Sequence, residues 1–304
     1  MTPKHVIQTQ GLTKRFRKFE AVRGLNLNVE GGQITGFLGR NGAGKTTTVK
    51  MLLGMTHPTS GTGSVLGKEI TDPKQNREMR RRVAYVGEDK QLYAYMTVQQ
   101  LIRFTRSFYD DWRPEAEQGL LKQYQLPLNR KVKALSKGMR TKLALLLAFA
   151  RRPELLILDE PSEGLDPVSI EELLQTLVAA ASQATTIFFS SHQIDEVERI
   201  ADRVCIIDHA ELIFDTSLDE VRQNYRRITL GFTSQPLVDS QFFRMSGVEN
   251  VDMNGRQITL LANRDIEAII AQARNAGAVS IEVDPITLRE LFLEKVKARS
   301  NALV

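Results

Sequence analysis

Apolar positions along the chain fall into short runs separated by longer mixed stretches, and the pattern changes twice. Over the first 40 residues the runs "HVIQTQ", "LNLNVE" and "QITGFLG" have the length and β-branched content of strands. A glycine-rich turn follows, and then a helical pattern from about Lys45 to Leu53. Strand-like runs recur as "RRVAYVG", "LLILDE", "TTIFFSS" and "RVCIIDH", with amphipathic stretches between them. That alternation predicts a mainly parallel α/β sheet. From about 90 to 152 it stops, and only helical patterns such as "VQQLIRFTRSFYDDW" and "PEAEQGLLKQYQL" occur, which reads as a helical insertion. After "LDEVRQNY" the rhythm shifts again. "RRITLGF", "RQITLLA" and "VSIEVD" read as strands, "RDIEAIIAQARNAG" and "TLRELFLEKVKAR" as helices. The division expected is a main domain over 1–224 and a small α+β appendage over 225–304.

One helix begins oddly. In "ALSKGMRTKLALLLAFARR", residues 134–152, Ser136 is a natural N-cap, because its oxygen can accept from a free first-turn N–H. Gly138, two residues on, raises the entropy cost of the same turn. Something other than helix stability selects it.

Composition narrows the class. The 304 residues are 42% hydrophobic, enough for a sizeable core. The longest apolar run, Leu143 to Ala150, lies between Lys142 and Arg151 and is far short of the ~20 residues a membrane-spanning helix needs. The first residues, "MTPKHVIQTQG", lack the apolar stretch of a secretory signal. The single cysteine, Cys205, excludes an internal disulfide and a cysteine-rich metal site, so a cytosolic setting is expected. A net charge of +5 arises from 41 basic against 36 acidic residues, and the only dense basic run is Arg80-Arg81-Arg82, expected to be solvated or locally paired.

The chemistry is concentrated in a few stretches. "GRNGAGKTT", Gly39 to Thr47, fits G-x-x-x-x-G-K-[ST] after the strand "ITGFL" and before a helix. Glycines 39, 42 and 44 let the backbone curl so that successive N–H groups meet a polyphosphate, helped by the positive end of the helix. Lys45 adds charge between the β- and γ-phosphates, and the Thr46 hydroxyl is suited to Mg²⁺. Asn41, Gly42, Ala43, Gly44, Lys45, Thr46 and Thr47 are the nucleotide-binding candidates together with Gly39. "LLILDE" ends in two carboxylates, delivered to the carboxyl edge of the sheet by a buried strand. Asp159 is the Mg²⁺ candidate, and Glu160 the residue to polarise an attacking water.

Taken in order, "GRNGAGKTT", "LSKGM", "LLILDEPSEGLDP" and "FFSSHQIDEVE" resemble the nucleotide-binding subunit of an ABC transporter over about residues 6–220. The resemblance implies an α/β P-loop NTPase cassette: a mostly parallel sheet core, an antiparallel N-terminal β subdomain and a helical insertion. It implies ATP and Mg²⁺ as ligands, a separate transmembrane permease and a second nucleotide-binding subunit as partners, and a place on the cytoplasmic face of the membrane. By position, Phe16 in "LTKRF" is implied to stack on adenine, and His192 to hydrogen-bond the γ-phosphate. Asp166 is implied to contact the opposite subunit, although it is equally suited to cap the helix beginning at Pro167. Ser136 and Gly138 are implied to grip the γ-phosphate of a nucleotide held by the partner, giving two ATP molecules between two subunits.

Two positions depart from that family's pattern. Position 88 in "VGEDKQLY" is Glu where a glutamine is usual, and a carboxylate cannot donate as an amide does. Glu88 is expected to reach Mg²⁺ through water; Gln91 lies three positions further on. In the signature, Lys137 and Met139 replace the commoner glycine and glutamine, a variation resembling exporter-like systems with separate permeases. The alternative is a soluble ATPase of the same type acting on ribosomes or nucleic acid. It has only the positive charge in its favour, since neither two cassettes nor a long coiled-coil insertion is present, and no nucleic-acid partner is expected. A GTPase reading fails because no Asn-Lys-x-Asp sequence occurs.

Overall fold

The structure, a computed structural model, describes residues 5–236 and 238–302. It divides into two compact units, Met1–Asp215 and Thr216–Val304.

The first unit begins with β1 (His5–Phe16), β2 (Phe19–Leu25), β3 (Asn28–Glu30), β4 (Ile34–Leu38) and α1 (Lys45–Leu52). It continues through β5 (Ser60–Val65), β6 (Lys68–Glu69), α2 (Pro73–Arg82), β7 (Val83–Val86), α3 (Val98–Arg106), α4 (Pro114–Gln123) and α5 (Lys137–Phe149). It closes with β8 (Leu155–Asp159), α6 (Pro167–Ala181), β9 (Thr186–Ser191), α7 (Ile194–Ile200), β10 (Arg203–Asp208) and β11 (Glu211–Ser217), the last of which runs two residues past the boundary. Strands β1, β2, β3 and β5 pair antiparallel, and β6 extends that sheet. The second sheet runs β11-β10-β4-β9-β8-β7, with β10, β4, β9, β8 and β7 joined by parallel pairings.

Every residue of β4, β8 and β9 is buried. Such strands are near-continuous apolar runs because both faces of a parallel sheet are covered. Where α7 covers β4 the fit is close: a Cβ on Gly36 would lie 2.3 Å from Val197 Cγ1. One core joins the two sheets, running from Val6, Ile7 and Leu12 through Met51 and Leu52 of α1 to Phe37 and Phe188. The basic run is spent on local partners. Arg80 donates to the Leu53 and Gly54 carbonyls, and Arg82 is bidentate on Glu154.

Between β7 and β8 the chain is helical, as the pattern predicts. Thr97 and Gln100 form a capping box at α3, and Ser136 caps α5 by accepting from Met139 N at 3.2 Å. Among the described residues no helix is long and apolar enough to cross a membrane.

The second unit contains α8 (Leu218–Asn224), β12 (Arg226–Gly231), β13 (Val248–Asn254), β14 (Gln257–Ala262), α9 (Ile266–Asn275), β15 (Ser280–Pro285) and α10 (Leu288–Ala302). Its antiparallel sheet runs β13-β14-β12-β15 over a core that includes Ile228, Leu230, Phe243, Leu260 and Ile269. β13 is absent from the sequence reading for a physical reason. "VENVDMN" buries no residue fully, so it has no alternating apolar face, and it forms by pairing with β14 across the Gly255 turn.

Candidate functional site

The parallel register brings three separate stretches to one edge. Asp159 at the end of β8 pairs with Ser190 of β9, and Ser191 pairs with Leu38 of β4. The loop 39–44, the Asp159–Glu160 pair and the Ser190–His192 segment therefore emerge side by side at the carboxyl ends of central strands, where α/β sheets bind ligands.

A cavity of about 550 Å³ opens there, lined by Phe19, Ala21, Asn41, Gly42, Gly44, Lys45, Thr46, Thr47, Glu88, Glu160, Glu163 and His192. Backbone geometry explains the glycines separately. Gly42 and Gly44 have φ of 82° and 112°, the left-handed region that penalises a Cβ. Gly39 is required by packing, because a Cβ would meet the Ile207 carbonyl oxygen at 2.5 Å. Gly44 caps α1 with no side-chain hydrogen bond, leaving the first-turn N–H groups to an anion. Ala43 lies in the same loop, its N–H donating to the Arg40 carbonyl.

The cavity floor is charged. Lys45 Nζ is 3.0 Å from Glu160 Oε1 and donates to the Gly39 carbonyl at 2.6 Å. His192 Nδ1 is 2.8 Å from Glu160 Oε2, and the His192 backbone N–H also donates to that oxygen. Glu160 itself has φ 47°, an uncommon conformation for a non-glycine residue, held by its N–H donating to Ser190. Ser190 Oγ donates in turn to Asp159 Oδ1 at 2.6 Å. The other Asp159 oxygen, Oδ2, is buried with no hydrogen-bond partner among the described residues.

A second cavity of about 480 Å³ continues from Thr46 and Asp159 past Lys50, Tyr85, Glu88, Lys90 and Gln91. Glu88 lines both cavities. Burial first, and the facing Glu163 carboxylate second, push its pKa above the ordinary carboxylate value. Tyr85 is pushed up to about 12, chiefly by burial and then by Asp159.

Other positions singled out in the sequence lie elsewhere. Phe16 is half exposed, with Lys14 Nζ 4.9 Å from its ring centroid, and it is Phe19, its partner across the β1/β2 turn, that lines the cavity. Asp166 caps α6, accepting from Val168 N, Ser169 N and Ser169 Oγ. Ser136 and Gly138 open α5 and line neither cavity described above. Among the described residues nothing demands glycine at 138: its φ is not positive, and a Cβ would meet only Leu165 Cδ2 at an ordinary 3.5 Å.

Sequence reasoning passed over Ser190 as a site residue, and also Glu196. Glu196 is buried, accepts from Ser162 Oγ at 2.8 Å and Ser191 Oγ at 3.3 Å, and ties the segments after β8 and β9 together. Burial raises its pKa. No local signal marks it, since a glutamate in the first turn of a helix is ordinary.

A glycine-rich loop between a buried parallel strand and a helix, facing an acidic strand end, defines a P-loop nucleotide-binding ATPase. The ABC transporter family model matches residues 22–163. An uncharacterized ABC transporter ATP-binding protein of Bacillus subtilis, YhaQ, is 31% identical over 296 residues, covering 94% of this chain and 97% of the relative. The bacitracin transport ATP-binding protein BcrA of Bacillus licheniformis is 37% identical over 225 residues, 73% of each chain. The Nod factor export ATP-binding protein I of Burkholderia lata is 37% identical over 218 residues, covering 69% of this chain and 70% of that one. A solved ATP-binding subunit of an ABC transporter superposes with a TM-score of 0.66 at 29% identity, covering 72% of this chain and 92% of its own. The chain belongs to the ABC transporter family. It is an ATP-binding, ATP-hydrolysing subunit of the kind that works with membrane permease components.

Proposed function

We propose that two copies of this subunit, or one copy and a close relative, hold two ATP molecules between them at the cytoplasmic face of a membrane and drive export by a separate permease. The observation that carries the reading is the setting of Glu160, buried at the sheet edge between Lys45 and His192 beside a polyphosphate-sized cavity.

The chain's own residues divide the work. The N–H groups of the 39–47 loop and the Lys45 ammonium bind the phosphates, and Phe19, with Phe16 across the turn, offers ring faces for the base. Phosphoryl transfer spreads negative charge over the γ-oxygens, so cations and fixed N–H donors are the groups that help most. Mg²⁺ fits the site, because the unpartnered, buried Asp159 Oδ2 is a hard-cation donor and the Thr46 hydroxyl lines the same wall. When bound, the ion supplies charge neutralisation on the phosphate oxygens. Glu88 is a further candidate to reach it through water. Glu160 accepts the proton of the attacking water, and His192 contacts both Glu160 and the γ-phosphate. Ser136 and the Gly138 amide serve the nucleotide of the other subunit, with Asp166 at the contact between subunits.

Exposed aromatics support a membrane partner at residues 88–108. Tyr93, Tyr95, Phe104 and Phe108 are each exposed and touch ring to ring, with Tyr93–Phe104 and Phe104–Phe108 centroids 5.4 and 5.0 Å apart. Clustered exposed rings mark interaction surfaces. Export is the direction suggested by the relatives' names and by the Lys137/Met139 form of the signature. Purifying the chain from membranes and identifying the co-purifying polypeptide tests the reading. A hydrophobic permease is the expected companion, whereas ribosomes or DNA would overturn it.

A further inference from the structure

Lys137 and Glu163 connect two parts of the chain that the reading above assigns to different nucleotides. Lys137 Nζ donates to Glu163 Oε1 at 2.9 Å. Its stem crosses Gly164 so closely that a Cβ there would lie 2.4 Å from Lys137 Cδ and 2.7 Å from Cε. Gly164 has φ 74°, so glycine answers both to the turn and to the lysine lying over it. One residue further on, Leu165 Cδ2 is the atom nearest to where a Gly138 Cβ would stand. The first turn of α5 thus rests on the 163–165 turn through a charge contact and an apolar one.

That turn leads back to Glu160. Glu163 N donates to the Glu160 carbonyl at 3.2 Å, and Leu165 N to the Ser162 carbonyl at 3.0 Å. Glu163 also lines the nucleotide cavity and faces Glu88. Lys90, itself buried, places Nζ 3.5 Å from the Glu160 carbonyl. A path of direct contacts therefore runs from the signature turn through Glu163 to the backbone of Glu160 and to Glu88, all within one chain.

We propose that Lys137 and Glu163 are positioning residues that transmit engagement of the signature on one nucleotide to the Glu160 that acts on the other. The proposal rests on the reading that two subunits share their nucleotides. The geometry gives each partner a defined part. Lys137 moves with the helix start carrying Ser136 and Gly138, and Glu163 moves with the turn that sets the Glu160 backbone. The pair is not a stability device, because its side chains are 54% and 37% exposed, and exposed pairs contribute little to folding. Its effect is to make the two turns shift together, the physical content of coupling between sites.

The test is a charge-swap cycle measured on the full chain with its membrane partner: Lys137→Glu, Glu163→Lys and the double exchange. Each single variant is expected to lower kcat about tenfold and bring the Hill coefficient for ATP towards 1. The ATP affinity of Lys137→Glu, whose side chain lines neither cavity, should be unchanged, and the Tm of both single variants within about 2 °C of the parent. The double exchange and the conservative Lys137→Arg should recover most of both losses. Single variants with parental kcat and Hill coefficient, or a double exchange no better than the singles, overturn the proposal. ATP-induced dimerisation in a Glu160→Gln background separates the two layers. Its absence overturns the shared-nucleotide reading, while a dimer with no rescue in the swap overturns this proposal alone.

Discussion

Lys45 and Glu160 form a buried ion pair across the floor of the nucleotide cavity, 3.0 Å from Nζ to Oε1, with neither side chain more than a tenth exposed. The phosphate-loop lysine and the strand-end glutamate are 115 positions apart in sequence and meet at the cavity floor. Glu160→Gln keeps the shape but loses the charge that would take a proton. Hydrolysis should fall by ~10²–10⁴-fold with ATP binding retained. A turnover assay paired with nucleotide titration checks this, and an unchanged kcat would remove Glu160 from the mechanism. Thermal melts should show a lower Tm for the variant without ATP, because Lys45 keeps a buried charge with only carbonyl partners.

Gly138→Ala separates folding from function. Within the chain a Cβ fits, and alanine in the first helical turn is favoured over glycine by up to ~1 kcal/mol. The variant should melt at or above the parental temperature while losing tenfold or more in ATPase rate, roughly what crowding of one phosphate-binding amide costs. Parental ATPase activity would show that the glycine serves no second molecule.

Ser190→Ala removes the hydroxyl that donates to Asp159 Oδ1 and receives the Glu160 N–H. Loss of a buried hydrogen bond to a carboxylate costs about 1.5–3 kcal/mol. The expected outcome is a lower denaturation midpoint together with a higher Mg²⁺ concentration for half-maximal ATPase rate. A fall in stability with an unaltered Mg²⁺ response would confine Ser190 to a structural role.

Glu154 provides a pH prediction away from the site. Arg82, bidentate on it, holds its carboxyl below the ordinary value of 4.5. A carboxylate whose pKa is lower folded than unfolded contributes stability above the unfolded value, and that contribution disappears as pH falls through the folded one. Both side chains are more than a third exposed, so the effect is modest and screened by salt. Urea denaturation from pH 6 downwards should show Glu154→Gln converging on the parent at acid pH. A constant gap between the two would exclude this linkage.

Much of the site was legible in the sequence because its determinants are local. The phosphate loop spans nine consecutive positions, Gly39 to Thr47, and its glycines, lysine and threonine have their meaning from spacing alone. The same holds for Asp159 and Glu160 at the end of an apolar run, and for Ser136 as a helix cap. The appendage's helices and three of its strands follow from periodicity, whereas β13 does not, because its pairing with β14 and not an apolar face creates it.

What only the tertiary structure decided is which distant residues meet. A one-residue slip of β9 against β8 would turn Ser190 away from Asp159, and no local pattern encodes that register. The same is true of Phe19 lining the cavity beside a more remote Phe16, of Glu196 joining Ser162 to Ser191, and of Lys137 lying over Gly164 to reach Glu163. Short-range propensity and spacing determined the elements and the chemistry each one carries. Strand register and side-chain packing, which depend on contacts between segments far apart in the chain, determined how those chemistries are connected.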